Sequence, residues 1–430
     1  MRQRHLIPLI LSLPAFLAAT RPADIAFKVT MIDPGYNETA AVADLNHDGK
    51  LDIISGDSWY EAPTWTKHHL RDIDYANGYI DNFSDLPLDV DGDGWTDIIQ
   101  CSYFAHKIIW LKNPGNPSQS QNQPQSQSWK ESVIDDAGPT EFAFLVDLNN
   151  DGKAQEILPE YDRPNIPLSW YELDPKSPGK WIKHIVADHS FGHGIGVGDV
   201  NGDGRNDILT PKGWLEAPAD IHATGNWKFH PTDWDQHPIP PAGHEPPPTS
   251  QLVPAQATLA QPRGSSFGRM YLLDINGDGR PDLLTTMAHD YGIQWYEQTA
   301  DGKWIQHIID NTWSQAHAAI LVDMNGDGQL DVVTGKRYFA HNGNDPGERE
   351  PIGLYWYEYR KVPATPATEH GPGNGGVEWI RHIVDYGGRM GGGMQIVAAD
   401  LTGHGNLDLV SGGKAGLFLA ENLTQSAAHK

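Results

Sequence analysis

The chain has 430 residues, enough for two or three ordinary domains or for one large repeat array. Its formal net charge of −25, from 56 acidic against 31 basic side chains, excludes a nucleic-acid surface, which must be basic to meet phosphate. Hydrophobic content of 39% with 15 Trp supplies a core, and a single cysteine rules out an intramolecular disulfide framework.

Residues 1–21 carry Arg2 and Arg4, then an apolar run from Leu6 to Ala19 that ends in small residues. That pattern predicts a secretory signal peptide, and hence a secreted or periplasmic protein whose remaining residues, 22–430, form a single domain. No later run approaches the ~20 apolar residues of a membrane span, so none is expected. Cys101, inside Asp-Ile-Ile-Gln-Cys-Ser-Tyr, reads as a small buried residue and not as a reactive thiol.

From Asp44 onward the chain repeats itself. Aspartate-rich loops start at Asp44, Asp89, Asp147, Asp199, Asp274, Asp323 and Asp400, at intervals of 45 to 77 residues. Oxygen-bearing side chains at loop positions 1, 3, 5 and 9, with glycine at 6, are the donor pattern of calcium, which takes six to eight hard oxygens. Five loops keep all four side-chain ligands. They are Asp44, Asn46, Asp48 and Asp52; Asp89, Asp91, Asp93 and Asp97; Asp199, Asn201, Asp203 and Asp207; Asp274, Asn276, Asp278 and Asp282; and Asp323, Asn325, Asp327 and Asp331. Two depart: the loop from Asp147 has Gln155 at its ninth position, and the loop from Asp400 has Thr402 and His404 before Asp408. Structural calcium is therefore expected in five loops.

Each loop is flanked by short β-branched segments such as Ala318-Ala-Ile-Leu-Val322 and Leu330-Asp-Val-Val-Thr334, which read as strands. A third strand carries an aromatic signature, as in Trp59-Tyr-Glu, Trp170-Tyr-Glu and Trp356-Tyr-Glu. A fourth follows as Trp-x-x-His-x-Ile, as in Trp181/His184 and Trp379/His382, where a histidine recurring in five repeats reads as a brace and not a site. The last repeat lacks its fourth strand, but Phe27-Lys-Val-Thr-Met-Ile-Asp33 at the other end of the chain has its pattern. The expected fold is all-β: a seven-bladed β-propeller of four-stranded blades, its ring closed by an N-terminal strand that completes the last blade. Inserts at 113–128, 231–266, 337–353 and 360–377 are too short to be further domains.

These loops and strands resemble the FG-GAP/VCBS repeat family across nearly the whole chain beyond residue 21, and the resemblance implies a calcium-binding propeller. In that topology the calcium loops share one face, while the loops between second and third strands share the opposite, upper face. The position six residues before each loop, at the upper end of the innermost strand, reads Glu38, Phe83, Glu141, His193, Gly268, His317 and Met394. Two histidines and two carboxylates approaching one axis suit a second divalent metal near His193 and His317, or acid–base catalysis, or mere hydrogen bonding between blades. The upper loops add His289 and the segment Lys336, Arg337 and His341, where Lys and Arg would hold an anion or sugar hydroxyls, or would simply be solvated.

Histidine 193 in His-Gly-x-Gly-x-Gly-Asp, then Ala288-His-Asp-Tyr-Gly-Ile-Gln-Trp-Tyr-Glu297 and Gly335-Lys-Arg-Tyr-Phe-Ala-His341, also resemble the propeller part of the fungal aldos-2-ulose dehydratase family. That family eliminates water from keto-sugars such as 1,5-anhydrofructose, and carries cupin and lectin-like regions that are absent up to Lys430. The resemblance implies a carbon–oxygen lyase, with His193 and His317 as metal ligands or base, His289 and His341 as acid or base, and Lys336 and Arg337 as anion stabilisers. The alternative is a non-catalytic propeller binding a glycan or a protein on its upper face, with Tyr103, Phe104, Tyr161 and Trp313 stacking on sugar. The partner is then a small sugar, a glycan or a protein, not nucleic acid.

Overall fold

The computed structural model describes residues 24–115, 128–136, 138–161, 163–236, 266–366 and 373–424. The signal peptide expected at 1–21, the middle of the 113–128 insert, most of 231–266 and the centre of 360–377 lie outside the described residues. Every extended element is a β-strand, and the one helical turn among the described residues is Trp234–Gln236.

Five sheets have four strands each. The first runs outward from Ala41–Ala43 through Asp52–Ser55 and Ser58–Glu61 to Thr66–His69. The next three start at Ser84–Leu88, Thr140–Val146 and Ala319–Val322 and end at Lys130–Asp135, Trp181–Ala187 and Val377–Tyr386. The fifth is made by both ends of the chain: Phe27–Asp33 pairs antiparallel with Gly416–Asn422, outside Asp408–Gly413 and Ile396–Ala399.

A small hairpin pairs Tyr75–Ala76 with Tyr79–Ile80, and eight further strands, from Ile195–Gly198 to Trp304–Ser314, form one continuous sheet. This corrects the expectation of seven separate four-stranded blades: the propeller shows five such blades, and these eight strands are fused. The fusion is a parallel pairing of Ile195–Val197 with Arg269–Tyr271. Its cause is in the sequence. Gly194, Gly196 and Gly198 remove every second side chain, and a Cβ on Gly196 would stand 2.0 Å from the Met270 carbonyl oxygen. None of the other innermost strands has alternating glycines, and none pairs with its neighbour as a strand; they touch through side chains, as where the Ala143 N–H donates to Ser84 Oγ at 3.0 Å.

Apolar clusters lie between successive sheets and also join the last to the first, where Val410, Leu417 and Leu419 pack with Ile53 and Tyr60. The ring is therefore closed by packing as well as by strand pairing. Third-strand tryptophans anchor these clusters; Trp170, Trp295 and Trp356 are almost fully buried. Each is worth at most about 4–6 kcal/mol by buried area. The expected brace is present. The fourth-strand histidine stacks on the third-strand indole, 4.2 Å for Trp59/His68, 4.0 Å for Trp214/His230 and 3.8 Å for Trp356/His382. It also meets the glutamate two residues after that tryptophan, as His230 Nε2 does Glu216 at 2.7 Å.

The aspartate-rich loops share one construction. The first aspartate accepts the N–H of the sixth-position glycine in every copy, at 2.8 to 3.0 Å, and those glycines hold φ between 79° and 88°, a left-handed turn that Cβ-bearing residues resist. The ninth residue turns inward: Asp52 accepts the amides of Leu45 and Ala62, and Asp207 those of Val200 and Ala217. In the third loop the sequence has Gln155 at that place, but Glu156 does the work one residue later, accepting from Leu148 N and Asn149 Nδ2.

Candidate functional site

The innermost strands bring their upper ends to the axis, and the residues six before each loop meet there. Glu38, Phe83, Glu141, His193, His317 and Met394 are all buried. His289 joins them from the loop between Asp282–Thr286 and Tyr291–Gln298. One donor atom each from Glu141, His193, His289 and His317 lies within 4.8 Å of all the others. The imidazoles do not stack; their planes cross at 77° to 88°, with centroids 4.4 to 5.8 Å apart.

The outward-facing nitrogen of each ring has its own partner. His193 Nδ1 donates to the Phe267 carbonyl at 2.6 Å, His289 Nδ1 meets Asp345 Oδ2 at 2.9 Å, and His317 Nδ1 lies 3.5 Å from the Gln315 carbonyl. With the proton on Nδ1, the Nε2 of His289 and of His317 presents a lone pair to the centre, the way metal-binding histidines are oriented, and His193 would do so once its second proton is displaced. The Nε2 atoms of His193 and His317 are buried without a hydrogen bond, although Glu141 oxygens stand 3.2 and 3.9 Å away. Burial pushes His289 down to about 4 and His317 well below its ordinary value, so both are neutral. Burial also opposes charge on His193, but the Glu141 carboxylate outweighs it and lifts the ring to about 9. Three imidazoles and one carboxylate fit zinc or another divalent first-row metal.

His341 completes the constellation. Its ring stacks on His289 at 4.4 Å and 14°, and its Nδ1 meets the same Asp345 oxygen at 2.5 Å. Asp345 is fully buried and held far below the usual carboxylate range; burial opposes this, and hydrogen bonds from the two imidazoles overcome it. His341 is a third exposed, so this ring is the site's edge toward solvent. Asp345 belongs to the same upper loop as Lys336, Arg337 and His341, but its part as the shared partner of two imidazoles is visible only in the fold. Its signal is the four-residue spacing from His341 within a loop rich in Gly, Asn and Pro. Glu141 was legible as one of the axial carboxylates.

Lys336 and Arg337, expected as anion stabilisers, are both buried. Lys336 is buried, its Nζ donates to Ser314 Oγ at 3.0 Å and to the Gly347 carbonyl, and burial brings it down to about 8. It ties down the loop that carries His341. Arg337 donates from Nε to Glu38 at 2.9 Å and from Nη1 to Glu141 at 3.1 Å, a buried cation shared by two axial carboxylates. Tyr161 and Trp313, expected to stack on sugar, are core residues bonded to Tyr171 and Tyr357. Tyr103 and Phe104 are half-buried, with Arg163 Nη2 donating to the Tyr103 hydroxyl at 3.2 Å.

On the opposite face the loop oxygens are the hard donors calcium takes, and Asp89, Asp91 and Asp97 place one oxygen each within 4.8 Å of one another. Burial raises the ninth-position carboxyls, Asp52, Asp97 and Asp207 to about 6 and Asp282 and Asp331 to about 7. Arg205 and Arg280 pair with Asp203 and Asp278, and Lys112 bridges Asp91 and Asp93, so some loop charge is balanced by the chain itself.

Residues 274–334 match the family model of the FG-GAP-like repeat. The chain is thus an all-β propeller carrying an FG-GAP-like repeat. No curated protein matches it. Similar solved structures include a lectin of Agrocybe aegerita described as recognising non-reducing terminal N-acetylglucosamine, at 15% identity over 91% of this chain and 81% of the lectin chain, TM-score 0.28. The V. cholerae biofilm matrix protein Bap1 is 12% identical over 93% of this chain and 92% of its own, TM-score 0.38. BBS1N, in complex with ARL6DN, is 11% identical over 94% and 98%, TM-score 0.46. Such distant likenesses do not bear on activity. No helix among the described residues is long and apolar enough to cross a membrane.

Proposed function

We propose that this protein is an exported, calcium-stabilised propeller whose axial site holds a divalent transition metal and eliminates water from a small keto-sugar, of the 1,5-anhydrofructose kind. The observation that carries this reading is the convergence of Glu141, His193, His289 and His317, with His341 beside them on a shared carboxylate. A metal bound there would supply Lewis acidity to a carbonyl oxygen. Glu141 and the three Nε2 atoms would hold it; Asp345 and the Phe267 carbonyl fix two of the rings. His341 is the proton carrier. With its Nδ1–H directed at Asp345, its Nε2 accepts the proton α to the carbonyl, and the C–H electron pair forms the C=C bond as the β C–O bond breaks. The departing hydroxide takes that proton from Nε2 and leaves as water, and Asp345 stabilises the imidazolium in between. A binding role is the second reading, favoured by the half-buried Tyr103 next to Arg163.

The test is incubation with 1,5-anhydrofructose and related 2- and 3-keto-sugars, following the ultraviolet absorption of an enone. The reading expects turnover by wild type, metal loss in His193→Ala/His317→Ala, and retained metal with at least ~100-fold lower kcat in His341→Ala. Equal metal content in wild type and the double variant defeats the metal site; a silent substrate panel with metal bound favours the binder.

A further inference from the structure

The Trp–His–Glu brace recurs around the ring, and at Glu61, Glu216, Glu297 and Glu358 the carboxylate meets one imidazole. At Glu172 a second one arrives. His184 Nε2 lies 2.9 Å from Glu172 Oε1, and His222 Nε2 lies 3.2 Å from Oε2. The two rings are 5.3 Å apart with planes crossing at 70°, and one donor atom from each of the three side chains falls within 4.8 Å of the others.

The three residues come from two sheets. Glu172 and His184 lie on Leu168–Leu173 and Trp181–Ala187, whereas His222 sits in the turn that follows Gly213–Glu216 of the eight-stranded sheet. Nothing in the brace requires His222, since the other four copies stand without a second ring. Both partners of the cluster are held: Trp170, fully buried, stacks on His184 at 4.2 Å, and the His222 backbone N–H donates to Asp220 Oδ1 at 3.0 Å. Asp220 Oδ1 also lies 3.5 Å from His222 Nδ1, placing a carboxylate behind the ring as metal-bound histidines commonly have.

We infer that Glu172, His184 and His222 form a peripheral zinc site that staples the two sheets together. Zinc bonds in a tetrahedron set neighbouring donors about 3.3 Å apart; each imidazole already stands at about that distance from one Glu172 oxygen, 2.9 Å from Oε1 and 3.2 Å from Oε2, and a small turn of the carboxylate offers a single oxygen to both. The His222 side chain is half exposed, which leaves the fourth position to water. Two imidazoles and a carboxylate are a borderline-metal donor set, unlike the all-oxygen loops, so calcium does not compete for it. Ion binding to the assembled cluster alone favours the folded, docked sheets by mass action.

The experiment is equilibrium dialysis of the chelator-stripped full chain against zinc in excess calcium, with zinc counted per chain and melting followed in parallel. His222→Ala and, separately, Glu172→Gln should each lose one equivalent relative to wild type and lose the zinc-dependent rise in melting temperature. Both variants keep the calcium-only melting behaviour of wild type, because His222 is exposed and the Trp170/His184 stack remains. The axial variant His193→Ala/His317→Ala should retain this equivalent. One zinc on wild type and none on His222→Ala would remove the axial site and leave this one standing. An unchanged zinc count in both His222→Ala and Glu172→Gln overturns the inference.

Discussion

Replacing Arg337 by methionine isolates the buried charge beneath the site. Arg337 is 1% exposed and gives one hydrogen bond to Glu38 and one to Glu141, both carboxylates also buried. Methionine keeps most of the side-chain length but takes the hydrogen-bonded cation from Glu38 and leaves Glu141 with His193. Removing one partner of a buried ion pair typically costs about 3–5 kcal/mol, because the orphaned charge stays desolvated. Unfolding entropy near 2.1 cal/mol/K per residue gives about 0.84 kcal/mol/K over roughly 400 residues, so the melting temperature should fall by about 4–6 °C. Calorimetry at matched scan rates measures it. The cycle with Glu38→Gln sharpens the test: once Arg337 is gone, neutralising Glu38 relieves an unpaired charge, so the double variant should be less destabilised than the two single losses added together. A shift below about 1 °C for Arg337→Met, or strict additivity in the cycle, would refute the reasoning.

Gly196→Ala should be disproportionately harmful for a single methyl, costing about 1–3 kcal/mol, because its Cβ meets the Met270 backbone and must part the parallel strands; the melting temperature and amide exchange of Ile195–Val197 report it. Chelating calcium should lower the melting temperature, and magnesium should restore it poorly, since the loops offer many oxygens without octahedral rigidity; an unchanged melting point would mean the loops stand on their internal hydrogen bonds. Asp135 gives a pH signature. Burial would raise its carboxyl, but hydrogen bonds from Tyr171, Lys183 and Tyr161 hold it below the ordinary value. Its contribution is therefore full above the unfolded value of about 3.9 and lost as pH falls through the depressed folded value. Asp135→Asn should be less stable than wild type at neutral pH, and the two denaturation curves should converge on acidification.

The repeat was legible because its elements obey local rules: a left-handed glycine, an Asp that gathers amides, an indole facing a histidine. The axial gathering of Glu141, His193 and His317 was also legible, since counting six residues back from a loop is counting along one strand. What escaped was non-local. The glycines between His193 and Asp199 read as a motif, but their mechanical effect, letting a neighbouring strand approach Gly196, exists only once Arg269–Leu273 lies alongside. Glu156 substitutes for a missing ninth-position acid because the chain there can shift by one residue, which spacing cannot show. Lys336 looked like an anion binder because its exposure was assumed; in the fold Ser314 and Gly347 enclose it. Asp345 was hidden in a loop whose path is set by Lys336 and by Lys414, whose Nζ donates to the Phe339 carbonyl at 2.9 Å.

The pairing of Phe27–Asp33 with Gly416–Asn422 has a kinetic meaning. Lys28 and Glu421, joined across that seam at 3.1 Å, are 393 positions apart in the chain. Until Gly416–Asn422 has been made, Phe27–Asp33 has no place to dock, and the growing chain carries it as an unpaired edge. Such distant pairings are slow to find and expose sticky edges meanwhile. The seam thus makes closure of the ring wait on Gly416–Asn422: a chain broken off before that strand leaves Phe27–Asp33 unpaired and open to proteolysis, whereas its arrival buries both edges in a single act.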